Sequence, residues 1–518
     1  MTCDACAVRV RGAFERVGAH EVDVDWRRGR ATLEAEGITR GQLSQALEGT
    51  RYRLVDRHHE EDPERSKRDY DLIAIGSGGG AMAGAIRARD LGRRVMLVEQ
   101  GTTGGTCVNI GCIPSKSLLA DSGRVNGDGP GRLPGAVERK AALVAQLRQD
   151  KYVDLIDDYE IDFRAAHAEV LDPNTVAVDG DPVTADAILI ANGARPAVPP
   201  IPGLEEAGYL TSTTALEVTQ PPGRLAVIGA NAVGLELGHM LGNFGSEVTF
   251  LARRGVAPNE EPELGDRLTE ALEADGHTVM APADTKSIEL EGEERVLRGE
   301  VAGEPFELRV DDILVATGRR PNTAELGLEG VGVELDPLGA IRVDEHQRTS
   351  VSSIYAAGDV TTQPQYVYVA AAGGAAAAEN ALGEGEKTLD LDSLPRIIFT
   401  RPTIAAAGLT EAQARDRGLE VETTLLPLDA VPRALVNGET HGVFKLVAEA
   451  ETGRLVGASI LADGAGDVIL SAVLAIDRRM TVEELAATWA PYLTMAEGLK
   501  LAAQSFGREV GKLSCCAA

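Results

Sequence analysis

Long apolar runs are missing from this sequence of 518 residues. No stretch approaches the ~20 apolar residues that a membrane-spanning helix needs, and no signal peptide opens the chain. We therefore expect a cytoplasmic protein without a membrane partner. The hydrophobic content is 44%, an ordinary value for a globular protein, and the length allows three or four domains.

Basic residues are also scarce. The chain has 51 Lys and Arg against 80 Asp and Glu, a formal net charge of -29. Nucleic acids and anionic membranes are polyanions that such a surface repels, so we expect no nucleic-acid partner. The acidic excess fits adaptation to high salt and a plain composition bias equally well.

Cysteine is rare, and its distribution is informative. All six cysteines fall in close pairs, which are Cys3/Cys6, Cys107/Cys112 and Cys515/Cys516. Structural disulfides are rare in the cytosol, and none of these pairs is spaced like a secreted scaffold. The pairs therefore indicate thiol redox chemistry or binding of soft metals.

The central pair lies in the segment 101–116, GTTGGTCVNIGCIPSK. The segment should begin as a glycine-rich loop and continue into a helix. The sulfurs of Cys107 and Cys112 can then approach across about one helical turn, where the positive helix end stabilises a thiolate. The pair could close a disulfide or bind a soft metal ion. A role in packing alone is disfavoured by the adjacent glycines.

A dinucleotide-binding pattern precedes this dithiol. A strand over 70–75 runs into GSGGGA and a helical pattern, and a second strand over 94–98 ends at Glu99. Glycines let a pyrophosphate approach a helix N-terminus, and the acid binds a ribose. The candidate contacts here are Gly76, Gly78, Gly79, Ala81 and Glu99.

A second, degenerate pattern follows the strand 225–228. It contains Gly229 and Gly234, but Asn231 replaces the middle glycine. The next strand, 247–251, ends in Arg253 and Arg254 rather than in an acid. Arginines favour the 2′-phosphate of NADPH over the 2′-hydroxyl of NADH, so we predict NADPH. The alternative is an exposed arginine pair without a ligand.

In this order, the motifs resemble the flavin-dependent pyridine nucleotide–disulfide oxidoreductases, which include lipoamide dehydrogenase and glutathione reductase. The resemblance extends to ILIANGARP (188–196), with Asn192 for the usual Thr, to ILVATGRRPN (313–322) and to IYAAGD (354–359). It implies FAD as a cofactor and a Lys116–Glu236 pair beside the flavin. The further cofactor contacts that it implies are Gly105, Thr106, Lys116, Gly193, Gly318 and Asp359.

The resemblance implies an α/β fold with two Rossmann-like nucleotide-binding domains, an α+β dimerisation domain and a small ferredoxin-like N-terminal module. We expect an FAD domain over 69–220 and 345–388, an NADPH domain over 221–344 and a dimerisation domain over 389–518 that ends in the Cys-Cys tail. Within the FAD domain, 121–134 reads as an exposed loop and 136–156 as a helix. The module covers 1–57 and a charged linker covers 58–68.

The N-terminal module shows the order α-β-β-α-β and resembles a heavy-metal-associated domain. In that family an MTCxxC loop binds a soft ion between two thiolates, here Cys3 and Cys6. The family's first strand is missing, because the chain starts at the motif.

The substrate is indicated by the C-terminal segment. Tyr492 stands where the family's disulfide reductases carry a proton-donating histidine, and no histidine follows His441. A tyrosine with a pKa near ~10 is a poor proton shuttle. The ending PYLTMAEGLKLAAQSF, the Cys-Cys tail and the Lys151-Tyr152-Val153 segment resemble the branch of the family that reduces Hg(II).

This resemblance implies NADPH-dependent reduction of thiolate-bound Hg(II) to Hg(0) in a homodimer with a shared active site. Cys3 and Cys6 would collect the ion, and the tail would pass it to the dithiol of the other subunit. Cys107 would exchange ligands, Cys112 would be the charge-transfer thiolate, and tyrosines would line the metal position. The residues so implied are Cys3, Cys6, Cys107, Cys112, Tyr152, Tyr492, Cys515 and Cys516.

Two alternatives remain open. The first is an FAD-dependent disulfide reductase of the lipoamide dehydrogenase or glutathione reductase type. The second is a non-catalytic metal-binding protein, which would not need two nucleotide folds.

Overall fold

A computed structural model describes residues 4–25, 30–34, 38–47, 67–123, 129–383 and 385–508. Cys3, most of the expected linker, and both tail cysteines lie outside these residues. In the described part of the chain, no helix is long and apolar enough to cross a membrane.

The N-terminal segment forms a small α-β-β-α unit. Its elements are α1 (Asp4–Arg16), β1 (His20–Asp25), β2 (Arg30–Glu34) and α2 (Arg40–Ala46). The two strands pair antiparallel, and α1 buries Val10 and Phe14 against Val22, Val24 and Leu47. The last strand of the predicted order α-β-β-α-β lies outside the described residues.

The next elements build a mainly parallel sheet. The strands are β3 (Tyr70–Ile75), β4 (Val95–Glu99), β5 (Asp162–Ala165), β6 (Ala168–Asp172), β7 (Thr175–Val178) and β8 (Asp181–Ile190). The short strand that follows them, β9 (Ala194–Pro196), is not part of this sheet. The helices are α3 (Gly79–Asp90), α4 (Gly105–Ile110), α5 (Cys112–Ser122), α6 (Gly129–Arg148), α7 (Asp154–Asp158) and α8 (Leu204–Ala207). A π-helical turn, Gln149–Val153, joins α6 to α7.

Strand β3 lies at the centre, parallel to both β4 and β8, and is buried from Asp71 onward, as its apolar run predicts. The sequence prediction of a loop over 121–134 is wrong at both ends, because α5 extends to Ser122 and α6 already begins at Gly129 and includes Pro134.

A second parallel sheet follows in the order β12-β11-β10-β16. The elements of this region are β10 (Arg224–Ile228), α9 (Ala232–Asn243), β11 (Glu247–Leu251), α10 (Pro262–Ala274), β12 (Thr278–Met280), β13 (Ala283–Glu291), β14 (Glu294–Val301), β15 (Glu304–Val310), β16 (Asp312–Val315), β17 (Arg319–Pro321) and α11 (Leu328–Val331). Strands β13, β14 and β15 form a separate antiparallel sheet.

The chain passes between the two parallel sheets twice. The two crossover segments, which contain β9 and β17, pair with each other as strands. Strand β17 lies antiparallel to β9, and the chain then returns to the first sheet through β18 (Ile354–Ala356), parallel to β8. The helix after it, α12 (Val367–Leu382), packs on α3 at very short distance. A Cβ on Gly374 would lie 1.9 Å from the carbonyl oxygen of Gly80, so this contact requires glycine.

The C-terminal domain is α+β. Its five-stranded antiparallel sheet has the order β19-β20-β23-β22-β21. Its elements are β19 (Pro395–Ile398), β20 (Thr403–Gly408), α13 (Glu411–Asp416), β21 (Val421–Pro427), α14 (Pro432–Asn437), β22 (Val443–Glu449), β23 (Leu455–Ala462), α15 (Ala465–Asp477), α16 (Val482–Ala487) and α17 (Glu497–Gln504). The predicted fold class, two nucleotide-binding folds and an α+β domain, is confirmed.

Candidate active site

The dithiol occupies a break between two helices. Cys107 lies within α4, Gly111 separates the helices, and Cys112 is the first residue of α5. A Cβ on Gly111 would lie 2.9 Å from the carbonyl oxygen of Thr106, which explains the glycine at the break. The sequence predicted one continuing helix, and the structure instead places Cys112 at a fresh helix N-terminus. Neither cysteine forms a disulfide.

The two sulfurs differ in charge state. The hydrogen bond between them, together with burial, raises the pKa of Cys107. The same hydrogen bond lowers the pKa of Cys112 to about 6, and the positive charge of Lys116 adds to this effect. At neutral pH the pair is therefore a Cys112 thiolate that accepts a hydrogen bond from the Cys107 thiol.

Lys116 is held in place by two contacts. Its Nζ lies 2.6 Å from Oε2 of Glu236 on α9 and 4.7 Å from the centre of the Phe399 ring. The other oxygen of Glu236 accepts a hydrogen bond of 3.0 Å from the Phe399 backbone N–H. The expected Lys116–Glu236 pair is thus formed, and Phe399, which the sequence did not single out, completes it.

Tyr152 lies against the dithiol segment. It belongs to the π-helical turn, and a Cβ on Gly104 would be 3.4 Å from its Cδ2. Burial raises the pKa of Tyr152, and the charges of Cys107 and Cys112 raise it further. Its hydroxyl therefore stays protonated and can donate a hydrogen bond to a sulfur or to a metal-bound ligand.

Two of the other predicted site residues, Tyr492 and Cys6, belong to parts of the chain other than α4 and α5. Tyr492 lies between α16 and α17 on the C-terminal domain and is 66% exposed. Glu497, at the start of α17, is buried, and burial raises its pKa. Cys6 belongs to α1, whereas Cys3, Cys515 and Cys516 lie outside the described residues.

The first nucleotide pattern forms a cradle with room for a dinucleotide. Gly76 has a φ of +104°, and a Cβ there would lie 2.6 Å from the carbonyl oxygen of Ala191. Gly78 is the N-cap of α3, and Gly79, Gly80 and Ala81 begin that helix. A Cβ on Gly105 would lie 2.6 Å from the Cα of Gly78. These glycines therefore allow the backbone segments to pack closely around the N-terminus of α3, the end of a helix that binds phosphate.

Glu99 lies at the end of β4, as predicted. Its Oε2 accepts hydrogen bonds from the N–H of Ser77 (3.0 Å) and from its hydroxyl (2.7 Å). Its Oε1 accepts one of 2.7 Å from the Gly101 N–H. The carboxylate borders a cleft of about 480 Å³ beside Gly76. These residues fit the phosphate and ribose of FAD.

Arg319 is a site residue that the sequence analysis missed. Its Nε lies 3.3 Å from Oδ2 of Asp359, and its Nη2 is 3.5 Å from the hydroxyl oxygen of Thr106. Burial raises the pKa of Asp359, although the cation opposes this effect. The motif ATGRRPN contains this arginine, but only the fold shows which of its two arginines meets the aspartate.

Two tyrosines at the start of α12 were also missed. The rings of Tyr366 and Tyr368 stack with centroids 5.3 Å apart, and the Tyr368 hydroxyl donates a hydrogen bond to the carbonyl of Pro395. Burial raises the pKa of Tyr368. A pair of tyrosines two residues apart at a predicted helix start was the available signal.

The second nucleotide pattern is also well formed. Gly229 has a φ of +110°, and a Cβ on Gly234 would lie 1.9 Å from the carbonyl oxygen of Gly229. Asn231 caps α9 with φ -112°, a conformation open to any residue, so the lost glycine is tolerated. Arg253 and Arg254 are exposed after β11, and Gly318 has a φ of +127° in the return crossing.

The described geometry defines a class of protein: two dinucleotide folds, a thiol–thiolate pair and an α+β C-terminal domain. A family model described as pyridine nucleotide-disulphide oxidoreductase matches residues 70–374. A second, described as the dimerisation domain of the same family, matches residues 394–503. The chain belongs to the pyridine nucleotide–disulphide oxidoreductases.

Within that family the chain belongs with the mercuric reductases. It is 45% identical over 537 residues to the mercuric reductase of Staphylococcus aureus, covering 100% of this chain and 98% of the relative. It is 46% identical over 466 residues to that of Streptomyces lividans, covering 86% and 98%. Among solved structures, the HOCl-induced flavoprotein disulfide reductase RclA from Escherichia coli matches with a TM-score of 0.77 at 31% identity, over 84% of this chain and 100% of that one.

Proposed function

We propose that this protein reduces thiolate-bound Hg(II) to Hg(0) with electrons from NADPH, and that FAD is its resident cofactor. The observation that carries the proposal is the dithiol, in which one sulfur is already a thiolate and the other is a thiol. The relatives named as mercuric reductases support the same assignment over the whole chain.

Ligand exchange is the chemistry that this pair performs best. Hg(II) arrives bound to two thiolates, and the Cys112 thiolate displaces one of them directly. Cys107 displaces the second, and its proton leaves with the departing thiolate, so two Hg–S bonds form and two break. Soft, linear-preferring Hg(II) is then held by both sulfurs. The phenol of Tyr152 stays protonated and can donate a hydrogen bond to the sulfurs during the exchange.

When bound and reduced by NADPH, FAD would supply the two electrons that convert Hg(II) to Hg(0), and both cysteines would then be left ionised. The residues that would hold FAD are the cradle around Gly76 and Gly105, the carboxylates of Glu99 and Asp359, and the Lys116–Glu236 pair. Arg253 and Arg254, both exposed after β11, would hold the 2′-phosphate of NADPH.

We further propose a homodimer whose active sites are shared. The C-terminal domain exposes Leu470 (61%), Leu474 (52%) and Trp489 (98%), and apolar exposure of this kind is typical of an interface. Tyr492 and the cysteines Cys515 and Cys516 of one subunit would then complete the site of the other. Cys3 and Cys6 would collect Hg(II) for transfer. We place the protein in the cytoplasm, where paired cysteines stay reduced, with no nucleic-acid partner.

The domain division given from the sequence remains our proposal. The alternative, reduction of a disulfide, would need a proton donor for the leaving thiolate. No histidine follows His441 in this chain, and Tyr492 occupies the corresponding position. Mercury therefore remains the favoured substrate.

Replacing Cys112 tests the scheme. We expect Cys112→Ala to abolish HgCl2-dependent NADPH oxidation and Hg(0) release in excess small thiol, while bound FAD keeps its yellow absorbance. Cys6→Ala is the matched control and should keep turnover, because excess thiol replaces the collecting role. Retained turnover in Cys112→Ala, or faster turnover of the wild type with oxidised lipoamide or glutathione, would refute the proposal.

A further inference from the structure

The cleft beside Glu99 has two walls, and only one of them has been assigned a role. The first wall is the nucleotide-binding unit, with Gly76 and Glu99. The second wall comes from the crossover segments and includes Arg195 and Asn322. Arg195 lies on β9, and Asn322 directly follows β17. The cleft therefore reaches from the first Rossmann unit to the connection between the two nucleotide domains.

Asn322 joins the two crossover segments through hydrogen bonds. Its backbone N–H donates to the carbonyl of Gly193 (3.0 Å), and its Nδ2 donates to the carbonyl of Asn192 (3.0 Å). Its own carbonyl accepts from Nδ2 of Asn192 at 2.6 Å. The remaining group, Oδ1, accepts a hydrogen bond of 3.2 Å from Nη1 of Arg195. Every polar group of Asn322 is thus used, and the last one holds the Arg195 guanidinium.

The Arg195 guanidinium differs in charge from the acidic side chains of the cleft. Among the described side chains that line the cleft, Glu99 and Glu325 are acidic, and Arg195 carries the one guanidinium or ammonium group. Arg195 is otherwise exposed. Its planar group, held on one edge by Asn322, leaves its face available to a flat ligand.

The order of the chemical groups along a bound dinucleotide indicates that this flat ligand is the adenine ring. A pyrophosphate lies at the N-terminus of α3, where Gly78 is the N-cap, and Glu99 at the end of β4 binds the ribose. The adenine must then lie farther along the cleft, toward the part lined by 166–168, Arg195 and Asn322. A guanidinium stacks well on an aromatic heterocycle.

We propose that Arg195, held in position by Asn322, binds the adenine end of FAD. The inference rests on FAD as the cofactor of the proposed function. It implies that the bound cofactor bridges the Rossmann unit and the crossover segments. Arg195 is thereby a cofactor-binding residue that none of the glycine or acid motifs indicated.

Flavin binding to the apo form of the full chain tests this. In titrations followed by flavin fluorescence, Arg195→Ala should raise the Kd for FAD about tenfold, which corresponds to roughly 1.4 kcal/mol. The Kd for FMN, which lacks the adenosine half, should not change. The Ki of AMP, which carries only that half, should also rise about tenfold in Arg195→Ala when it is measured by competition and corrected for the weaker binding of FAD.

Two further variants sharpen the result. Arg320→Ala removes an equally exposed arginine directly opposite Arg195 in the β9–β17 pairing. This residue does not line the cleft, so FAD affinity should stay at the wild-type value. Arg195→Lys keeps the charge without the plane and should restore little of the affinity. It also provides a second variant if Arg195→Ala folds poorly by circular dichroism.

Three results would overturn the proposal: equal weakening of FAD and FMN, equal weakening by Arg320→Ala, or full rescue by Arg195→Lys. The last would assign the contact to a phosphate. The titrations contain neither mercury nor NADPH. A wild type that binds FAD with this pattern but releases no Hg(0) would therefore refute the proposed function and support the role of Arg195.

Discussion

A single hydrogen bond and a single cation give the dithiol its reactivity. The Cys107 thiol donates to Cys112, and Lys116 lies one turn farther along α5, so the charge collects on Cys112. Lys116 is itself positioned by Glu236, at 2.6 Å, and by the Phe399 ring. The thiolate therefore depends on groups from three separate parts of the chain.

At this scale we predict the effect of Lys116→Gln. Removing the cation removes an interaction that favours the ionised sulfur, so the pKa of Cys112 should rise from about 6, by roughly one unit. Below the new pKa the sulfur is a thiol, and alkylation of the reduced protein by iodoacetamide should slow most near pH 6 to 7. The rate as a function of pH gives the pKa.

The control is Lys286→Gln, which removes a lysine that is paired with Asp284 on β13. It should leave the alkylation profile unchanged. If Lys116→Gln left the midpoint where it is in the wild type, the hydrogen bond from Cys107 alone would account for the thiolate.

The π-helical turn is the element that brings Tyr152 to the sulfurs. It inserts one extra residue between α6 and α7, because π-helical hydrogen bonds join residues five apart rather than four apart. Turns of this kind are uncommon and frequently mark functional sites. A regular α-helix through 149–153 would turn Tyr152 away from Gly104 and the dithiol.

Deleting Asp150, an exposed residue of this turn, tests its role. The turn should tighten to an α-helix, and because the tighter turn also has one residue fewer, Tyr152 should rotate by only ~30° relative to the preceding helix. We expect Hg(0) release to fall, but by less than in Tyr152→Phe, while FAD stays bound. Asp150→Ala keeps the residue count and should be nearly neutral. A deletion variant with full turnover would contradict this account.

At the scale of the whole molecule, one buried lysine joins the second nucleotide domain to the C-terminal domain. Nζ of Lys445 lies 2.9 Å from Glu261, 2.8 Å from Glu263 and 2.9 Å from Glu411. Burial by itself lowers the pKa of Lys445, but the hydrogen bonds to the carboxylates outweigh it and the net pKa is raised. The hydrogen bond from Lys445 lowers the pKa of Glu411.

We predict that Lys445→Met destabilises the protein at pH 7 by roughly 3–5 kcal/mol, because it leaves the buried carboxylate of Glu261 unpaired. A lowered carboxyl pKa contributes stability that is present above its unfolded value and lost as pH falls through the folded one. The deficit should therefore shrink toward pH 4, where the carboxyls protonate. Urea denaturation at both pH values measures it.

Lys286→Met, at the exposed pair on β13, is the matched control and should leave the stability nearly unchanged, because solvent screens an exposed ion pair. An equal deficit for Lys445→Met at pH 7 and pH 4 would show that lost packing, rather than the unpaired charge, is responsible.

Local patterns predicted much of the fold. The strands that became β3, β4, β10 and β11 could be read because apolar runs that end at glycines or charged residues are short-range signals. The dithiol was visible for the same reason. The helix break at Gly111 and the π-helical turn could not be predicted, because the spacing of apolar residues does not show where the backbone hydrogen-bond pattern of a helix changes.

The sequence by itself determined that this chain has two dinucleotide folds and a cysteine pair beside the first, because glycine spacing and strand order are local properties. The family resemblance implied a thiolate at Cys112, but only the tertiary structure decided which contacts favour it and which arginine meets Asp359. It also decided that Phe399 completes the Lys116–Glu236 pair, whose members are 120 positions apart, and that Asn322 holds Arg195, 127 positions away. Charge states and long-range hydrogen bonds depend on distances that only the closed chain fixes.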